Sequence, residues 1–254
     1  MRGRLLAIEG IDGAGTTTQA RLLVQWMNHS GLPAHFTCEP SDRPVGRLIR
    51  RLLRGDLDAV DPAAVALLFA ADRLDHLRGE VLPLLERGTH VVSDRFVYSS
   101  LTYQSVTLDP AWVGEINARA VEPDLTVYLR VEPDLARARR SARGEGQELF
   151  DAEPVQQAIA DLYDRLFGTT AADGSWIQRS GSEDPAGSNA WIQQDPAPPA
   201  ELAQQTFARR PRWAVLDGAR PIESIQQRLR GLALAVCADA DRDGGDESSG
   251  GSDP

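Results

Sequence analysis

The chain has 254 residues and a formal net charge of −10, enough length for one domain with a large core. That balance leaves no basic footprint for nucleic acid. Two cysteines, Cys38 and Cys237, are too few for a disulfide framework, and no run approaches the ~18 uninterrupted apolar residues of a membrane span.

In chain order, Leu5–Glu9 is an apolar run that predicts a buried strand, followed at once by glycines and then by a helix over Thr17–His29. A strand is expected at Pro33–Thr37, helices at Val45–Leu53 and Pro62–Glu86, and a strand at His90–Ser93. Further strands are expected at Leu125–Leu129 and Trp213–Asp217, with helices at Pro133–Arg143, Pro154–Phe167 and Pro221–Val236. Prolines open several of these helices at the first turn. Strands alternating with helices predict a parallel sheet covered on both faces. Right-handed crossovers then set every strand's C-terminal end on one edge, where such sheets bind ligands.

Ala171–Arg212 breaks the rhythm, being rich in Gly, Pro, Ser, Asp and Gln. It repeats one short phrase, Trp176-Ile177-Gln178 and Trp191-Ile192-Gln193. Two forms stay open for this insertion: a hairpin presenting two tryptophans, or a structureless loop. The last stretch, Asp239 to Pro254, holds six acids and one arginine among Gly and Ser, the composition of a disordered acidic tail. The expected organisation is therefore one domain over residues 1–238, with the 171–212 insertion inside it, and a tail over 239–254. The N-terminus enters a strand pattern directly with no export signal, so a cytoplasmic location is expected.

The most specific local feature is Gly10-Ile11-Asp12-Gly13-Ala14-Gly15-Thr16-Thr17-Thr18. It has the frame of a phosphate-binding loop, G-x-x-x-x-G-K-[ST], between a strand and a helix. Its glycines would let backbone N–H groups approach phosphates at a helix N-terminus. Thr17 stands where a magnesium-binding hydroxyl belongs, and Thr16 stands at the lysine position. The chain has no lysine at all; its 27 basic residues are all arginine. A plain glycine-rich turn is the competing account.

Other residues gain meaning from that loop. Asp94-Arg95 follows a predicted strand, so the acid could hold magnesium through water and the arginine could bridge phosphates; a surface ion pair is the plainer alternative. Ser100 and Gln104 are four apart and share a helix face, as are Phe69 and Arg73. An aromatic ring can stack on a base and an arginine can bond its carbonyl edge, though a core Phe with a solvated Arg gives the same spacing. Arg137, Arg139, Arg140 and Arg143 form either a mobile arginine-bearing segment over phosphates or a solvated helix face.

Together, Glu9-Gly10-Ile11-Asp12-Gly13, Phe69-Ala70-Ala71-Asp72-Arg73, the run Asp94-Arg95-Phe96-Val97-Tyr98-Ser99-Ser100-Leu101-Thr102-Tyr103-Gln104, and Pro123-Asp124-Leu125-Thr126-Val127-Tyr128-Leu129 before Val131-Glu132-Pro133 resemble the thymidylate kinase family in order and interval. The resemblance covers Arg4 to Phe167 and resumes over Trp213 to Leu234. It implies an α/β P-loop kinase fold with a five-stranded parallel sheet and helices on both faces. It also implies transfer of the ATP γ-phosphoryl group to dTMP with Mg²⁺, in a homodimer.

Carried over by position, Gly10, Ile11, Asp12, Gly13, Ala14, Gly15, Thr16, Thr17 and Thr18 would hold ATP, and Thr17 and Asp94 would serve the metal. Asp12 would reach the sugar 3′-hydroxyl, Phe69 would stack on thymine and Arg73 would bond the base edge. Arg95 would clamp phosphates, Tyr103 would crowd a 2′-hydroxyl, and Pro40, Ser100 and Gln104 would line the dTMP site. A glycine at position 13 goes with arginines in the lid, here Arg139 and Arg143, which with Arg95 and Asp94 would carry the chemistry.

Three departures stand out. Thr16 replaces the loop lysine. Cys38 stands where many relatives have arginine. The segment Glu145-Gly146-Gln147-Glu148-Leu149-Phe150-Asp151 lacks an arginine that relatives carry. Three readings follow: an active dTMP kinase, a catalytically weak or inactive nucleotide-binding regulator on the same fold, or a kinase for a different nucleoside monophosphate, against which Tyr103-Gln104 argues.

Overall fold

The computed structural model describes residues 2–58, 60–143, 149–150, 152–168, 178–179 and 212–238. Apart from Gln178, Arg179 and Arg212, the 171–212 insertion lies outside the described residues, and so does the 239–254 tail.

The sheet comprises β1 (Leu5–Glu9), β2 (Ala34–Cys38), β3 (His90–Asp94), β4 (Leu125–Arg130), β5 (Gln178–Arg179) and β6 (Trp213–Asp217), in the order β2-β3-β1-β4-β6-β5. The five long strands are parallel, as expected, and two-residue β5 adds an antiparallel edge on β6. Every residue of β1 and β3 is buried, and β4 is buried up to Arg130. Continuous apolar strands of this kind need helices over both faces.

The helices are α1 (Thr16–His29), α2 (Pro44–Leu53), α3 (Pro62–His76), α4 (Leu82–Glu86), α5 (Val97–Tyr103), α6 (Pro110–Asn117), α7 (Pro133–Arg143), α8 (Glu153–Phe167) and α9 (Ile222–Ala238). Helices α1 and α9 pack on each other, while α8 reaches β4, β6 and α5. Asp61 and Asp109 cap α3 and α6 by accepting from Ala63 N and Ala111 N, and each is followed by a proline whose missing N–H costs nothing at that position. No described helix is long and apolar enough to cross a membrane.

The helix expected over Pro62–Glu86 is divided. A π turn at Leu77–Val81 separates α3 from α4. It coincides with Gly79, where a Cβ would come within 2.3 Å of the Arg43 guanidinium, itself held by Asp75 at 2.7 Å. Packing of Arg43 on that glycine, not local periodicity, accompanies the change of register. Helix α5 ends at Tyr103, so Gln104 opens a 3-10 turn one step beyond it.

The strand ends that carry polar residues are tied to the helices by an aromatic stack. Tyr163 of α8 lies parallel to Tyr128 of β4, centroids 5.0 Å apart, and Tyr128 stacks on Phe167 at 5.2 Å. Asp164 accepts from Tyr128 Oη at 3.0 Å and from Arg130 Nε at 3.1 Å. Glu9, at the end of β1, is wholly buried and accepts from Phe96 N at 2.9 Å, Ser99 Oγ at 2.6 Å and Tyr163 Oη at 2.9 Å. Burial pushes its carboxyl pKa up, against the pull of Ser99, Arg95, Tyr163 and Phe96.

Candidate active site

The loop between β1 and α1 turns through two left-handed glycines, Gly13 at φ 92° and Gly15 at φ 95°. Gly13 is required twice over, because a Cβ there would meet the Ala136 carbonyl oxygen of α7 at 2.4 Å. Helix α7 thus lies directly on the loop. Arg140 donates to the Asp12 carbonyl, and Arg139 Nη1 approaches the Ala14 carbonyl at 3.4 Å. Arg143 is exposed at the far end of α7. Arg137 pairs with Asp134 at 2.9 Å and Glu153 at 3.2 Å, on the outside.

Thr16 is the first residue of α1 and is buried. Its methyl is folded against Gly10, 3.2 Å from the point a Cβ would occupy there. Thr17 and Thr18 are exposed at the helix start with Ile11 and Ala14 buried behind them. Thr17 Oγ1 donates to Asp94 Oδ2, whereas Asp94 Oδ1 is buried with no hydrogen-bond partner. An orphaned carboxylate oxygen beside a loop hydroxyl suits a hard cation shared with phosphates and water. Among the described residues no group of three or more His, Cys, Asp or Glu could hold a metal ion. Thr17 and Asp94 fit Mg²⁺ shared with phosphates and water.

Arg95 follows β3 with φ 67°, a conformation costing a non-glycine residue about 1–3 kcal/mol. The surroundings fix it. Its Nη1 donates to the Gly10 carbonyl at 2.7 Å, its Nη2 to Asp12 Oδ1 at 2.6 Å, and its guanidinium carbon lies 5.1 Å from the Tyr103 ring centre. Glu9 holds the next N–H, that of Phe96. Asp12 is gripped from two sides, since Gln156 Nε2 donates to its Oδ2 at 2.9 Å and also to the Phe150 carbonyl at 3.0 Å.

A cavity of about 370 Å³ opens beside this loop, within the usual range for a small-molecule site. Pro40, Phe69, Arg73, Ser100, Tyr103 and Gln104 line it, together with Asp12, Asp94 and Arg95. Every acceptor residue expected from sequence is therefore brought to one space. Gln104 is buried and its Oε1 has no partner. Phe150 meets the Tyr103 ring edge-on at 5.5 Å.

Arg73 is not a solvated arginine. It is 2% exposed, with Nε donating to Glu39 Oε2 at 2.9 Å, Nη2 to Ser100 Oγ at 2.9 Å and Phe96 O at 3.3 Å, and Nη1 to Asn117. Glu39 also contacts His76 Nδ1 at 3.2 Å, and Thr37 Oγ1 lies 2.7 Å from His76 Nε2.

Burial opposes charge on His76, but the hydrogen bond and charge of Glu39, with Glu80 and Asp72, raise its pKa above the ordinary 6.5. A raised histidine pKa adds stability that is complete below the unfolded value and fades as pH climbs through the folded one. The gap in thermal midpoint between wild type and His76→Gln should therefore be wider at about pH 6 than at about pH 8.5; a pH-independent gap contradicts it.

Sequence reading did not single out Arg50, Gln156, Glu39 or Asn117. Arg50 Nη2 lies 3.2 Å from Cys38 Sγ and donates to the Pro40 carbonyl, on the cavity wall. Burial pushes the Cys38 thiol up, with Arg50 pulling it down.

A parallel sheet whose first strand runs into a phosphate loop, with an Asp-Arg pair from the adjacent strand end and an arginine-bearing helix over the loop, defines a P-loop nucleotide kinase. The family profile described as thymidylate kinase matches residues 8–178. A probable thymidylate kinase of Pyrococcus abyssi is 40% identical over 171 residues, 65% of this chain and 83% of the relative. A thymidylate kinase of Synechococcus sp. is 38% identical over 189 residues, 70% of this chain and 87% of the relative. One from Dinoroseobacter shibae is 40% identical over 164 residues, 62% and 79%. The chain belongs to the thymidylate kinase family.

Proposed function

We propose that the chain transfers the γ-phosphoryl group of ATP to dTMP, giving dTDP and ADP, with Mg²⁺, in the cytoplasm. The observation that carries this is the cavity wall formed by Phe69, Arg73, Tyr103 and Gln104 beside the phosphate loop. Phe69 would stack on the base. Arg73 Nη1 has a second N–H beyond its bond to Asn117, which would donate to the thymine O4. The unpaired Gln104 Oε1 would accept from the thymine N3–H. Tyr103 would crowd a 2′-hydroxyl. Each Asp12 carboxylate oxygen has one partner and keeps a lone pair for the 3′-hydroxyl.

An acceptor phosphate oxygen would attack the γ-phosphorus as the bond to the β–γ bridging oxygen breaks and ADP leaves. Such transfer needs positioning and charge stabilisation more than covalent help. Loop N–H groups would hold the donor phosphates. Thr17 and Asp94 would hold Mg²⁺, which supplies charge neutralisation on the phosphates. Arg95 would bridge donor and acceptor, and Arg139 and Arg143 would close from α7.

We read Thr16 as standing at the lysine position of the loop and leaving that charge to arginines. The regulator alternative rests on Thr16 and on the lid segment's missing arginine. The acceptor-side residues favour the enzyme. The proposed homodimer has support in Leu67 and Leu74, 49% and 41% exposed and seven apart on one face of α3. Sedimentation at micromolar concentration should give twice the chain mass, and a monomer would refute the pairing.

Acceptor choice tests the whole assignment. With ATP, Mg²⁺ and equal concentrations of dTMP, UMP and dCMP, turnover should be highest on dTMP, because UMP carries the 2′-hydroxyl and dCMP presents a donor where O4 accepts. Equal rates on all three would sink the assignment.

A further inference from the structure

Cys38 and Thr16 are neutral where the family resemblance implies cations, and beside Arg50 on the β2 side of the cavity stands a second cation, Arg21. Arg21 lies on α1 one turn beyond Thr17. Residues four apart share a helix face, and helix side chains lean toward the N-terminus, so Arg21 leans toward the phosphate loop. Its guanidinium carbon rests 4.0 Å from the centre of the Phe36 ring. Phe36 precedes Cys38 by two residues on β2 and so shares its strand face. Arg21 lines the same cavity as Thr17, Asp94 and Cys38.

Each of the other cavity arginines has an acid within ion-pair distance, Arg50 with Asp42 at 3.6 Å and Arg54 with Asp56 at 3.3 Å on the exposed rim. Arg73 is paired with Glu39 at 2.9 Å and Arg95 with Asp12 at 2.6 Å. Among the described residues the Arg21 guanidinium has neither an acid partner nor a hydrogen bond, and it rests on the Phe36 ring. A cation resting on an aromatic face at an exposed position is weakly held, and a phosphate offers it a stronger, bidentate partner.

We propose that Arg21 binds the 5′-phosphate of the acceptor nucleotide, leaving its rest on Phe36 to supply charge that Thr16 and Cys38 do not. This rests on the dTMP kinase reading and adds a residue to its acceptor site. Calorimetric titration with dTMP and with thymidine isolates the phosphate, the one group in which they differ. Arg21→Gln should weaken dTMP binding at least tenfold while thymidine binding stays unchanged, and Arg21→Lys should keep most of the dTMP affinity. Thermal midpoints of both variants should match wild type, because Arg21 is exposed. Unchanged dTMP affinity in Arg21→Gln, or equal losses on both ligands, overturns the proposal. Wild type that binds neither ligand overturns the dTMP reading itself, and this proposal with it.

Discussion

Arg73→Ala should lower both stability and dTMP affinity, and the two losses have different origins. Arg73 and Glu39 form a pair with 2% and 4% side-chain exposure. Removing one member of a buried pair leaves the other charge uncompensated, at about 3–5 kcal/mol. His76 remains beside Glu39, which puts the expectation at the lower end, about 3 kcal/mol. Denaturant unfolding reads this directly. The affinity loss comes from the base edge: a hydrogen bond from a charged donor contributes about 1.5–3 kcal/mol, roughly ten- to hundredfold in binding.

The pair Arg73→Ala with Glu39→Gln separates the two effects. It should regain much of the stability, since no buried charge is stranded, while dTMP binding stays weak. A double variant that recovers both would mean that Arg73 acts on the acceptor only by holding Glu39.

Those consequences could not be read from sequence, and the reason is distance along the chain. Arg73 meets Asn117, 44 residues away, and Gln156 meets Asp12, 144 residues away; no local spacing encodes either. What was legible rests on short-range chemistry. β1 is a run of buried residues and the loop after it needs left-handed glycines, so strand, loop and helix are written side by side. Phe69 and Arg73 are one turn apart, which sets both on one helix face.

The arginines were the hardest to place. Arg140 fits a segment over phosphates and a solvated face equally well from sequence, and Arg21 and Arg50 carry no local signal, since charge pattern alone does not distinguish a rim cation from a surface one. In the fold, Arg140 binds a loop carbonyl and Arg50 lies against Cys38. The π turn at Leu77–Val81 escaped for a similar reason, because the residue that packs on Gly79 is Arg43, from the start of a different helix.

Replacing the lid arginines should slow phosphoryl transfer far more than it weakens dTMP binding. On the proposed reading Thr16 stands at the lysine position of the loop; it is neutral, shorter than lysine, and turned onto Gly10. A preorganised charge-stabilising donor is typically worth about 3 kcal/mol in the transition state, so its absence must be offset or the rate falls. Helix α7 is one source, because it lies on Gly13 and brings Arg139 to the Ala14 carbonyl at 3.4 Å. Arg143 comes from the exposed end of the same helix. Arg139→Ala or Arg143→Ala should cut kcat at least tenfold, about 1.4 kcal/mol of barrier, with dTMP affinity nearly constant. Thr16→Lys should raise kcat or leave it unchanged, since its ammonium would repeat a charge already supplied. Inactive wild type restored by Thr16→Lys would instead show that nothing replaces the lysine, and the regulator reading would take over. An active wild type matched by both lid variants would place the compensating charge elsewhere, and the independent binding loss expected of Arg21→Gln would then point to the acceptor side of the cavity.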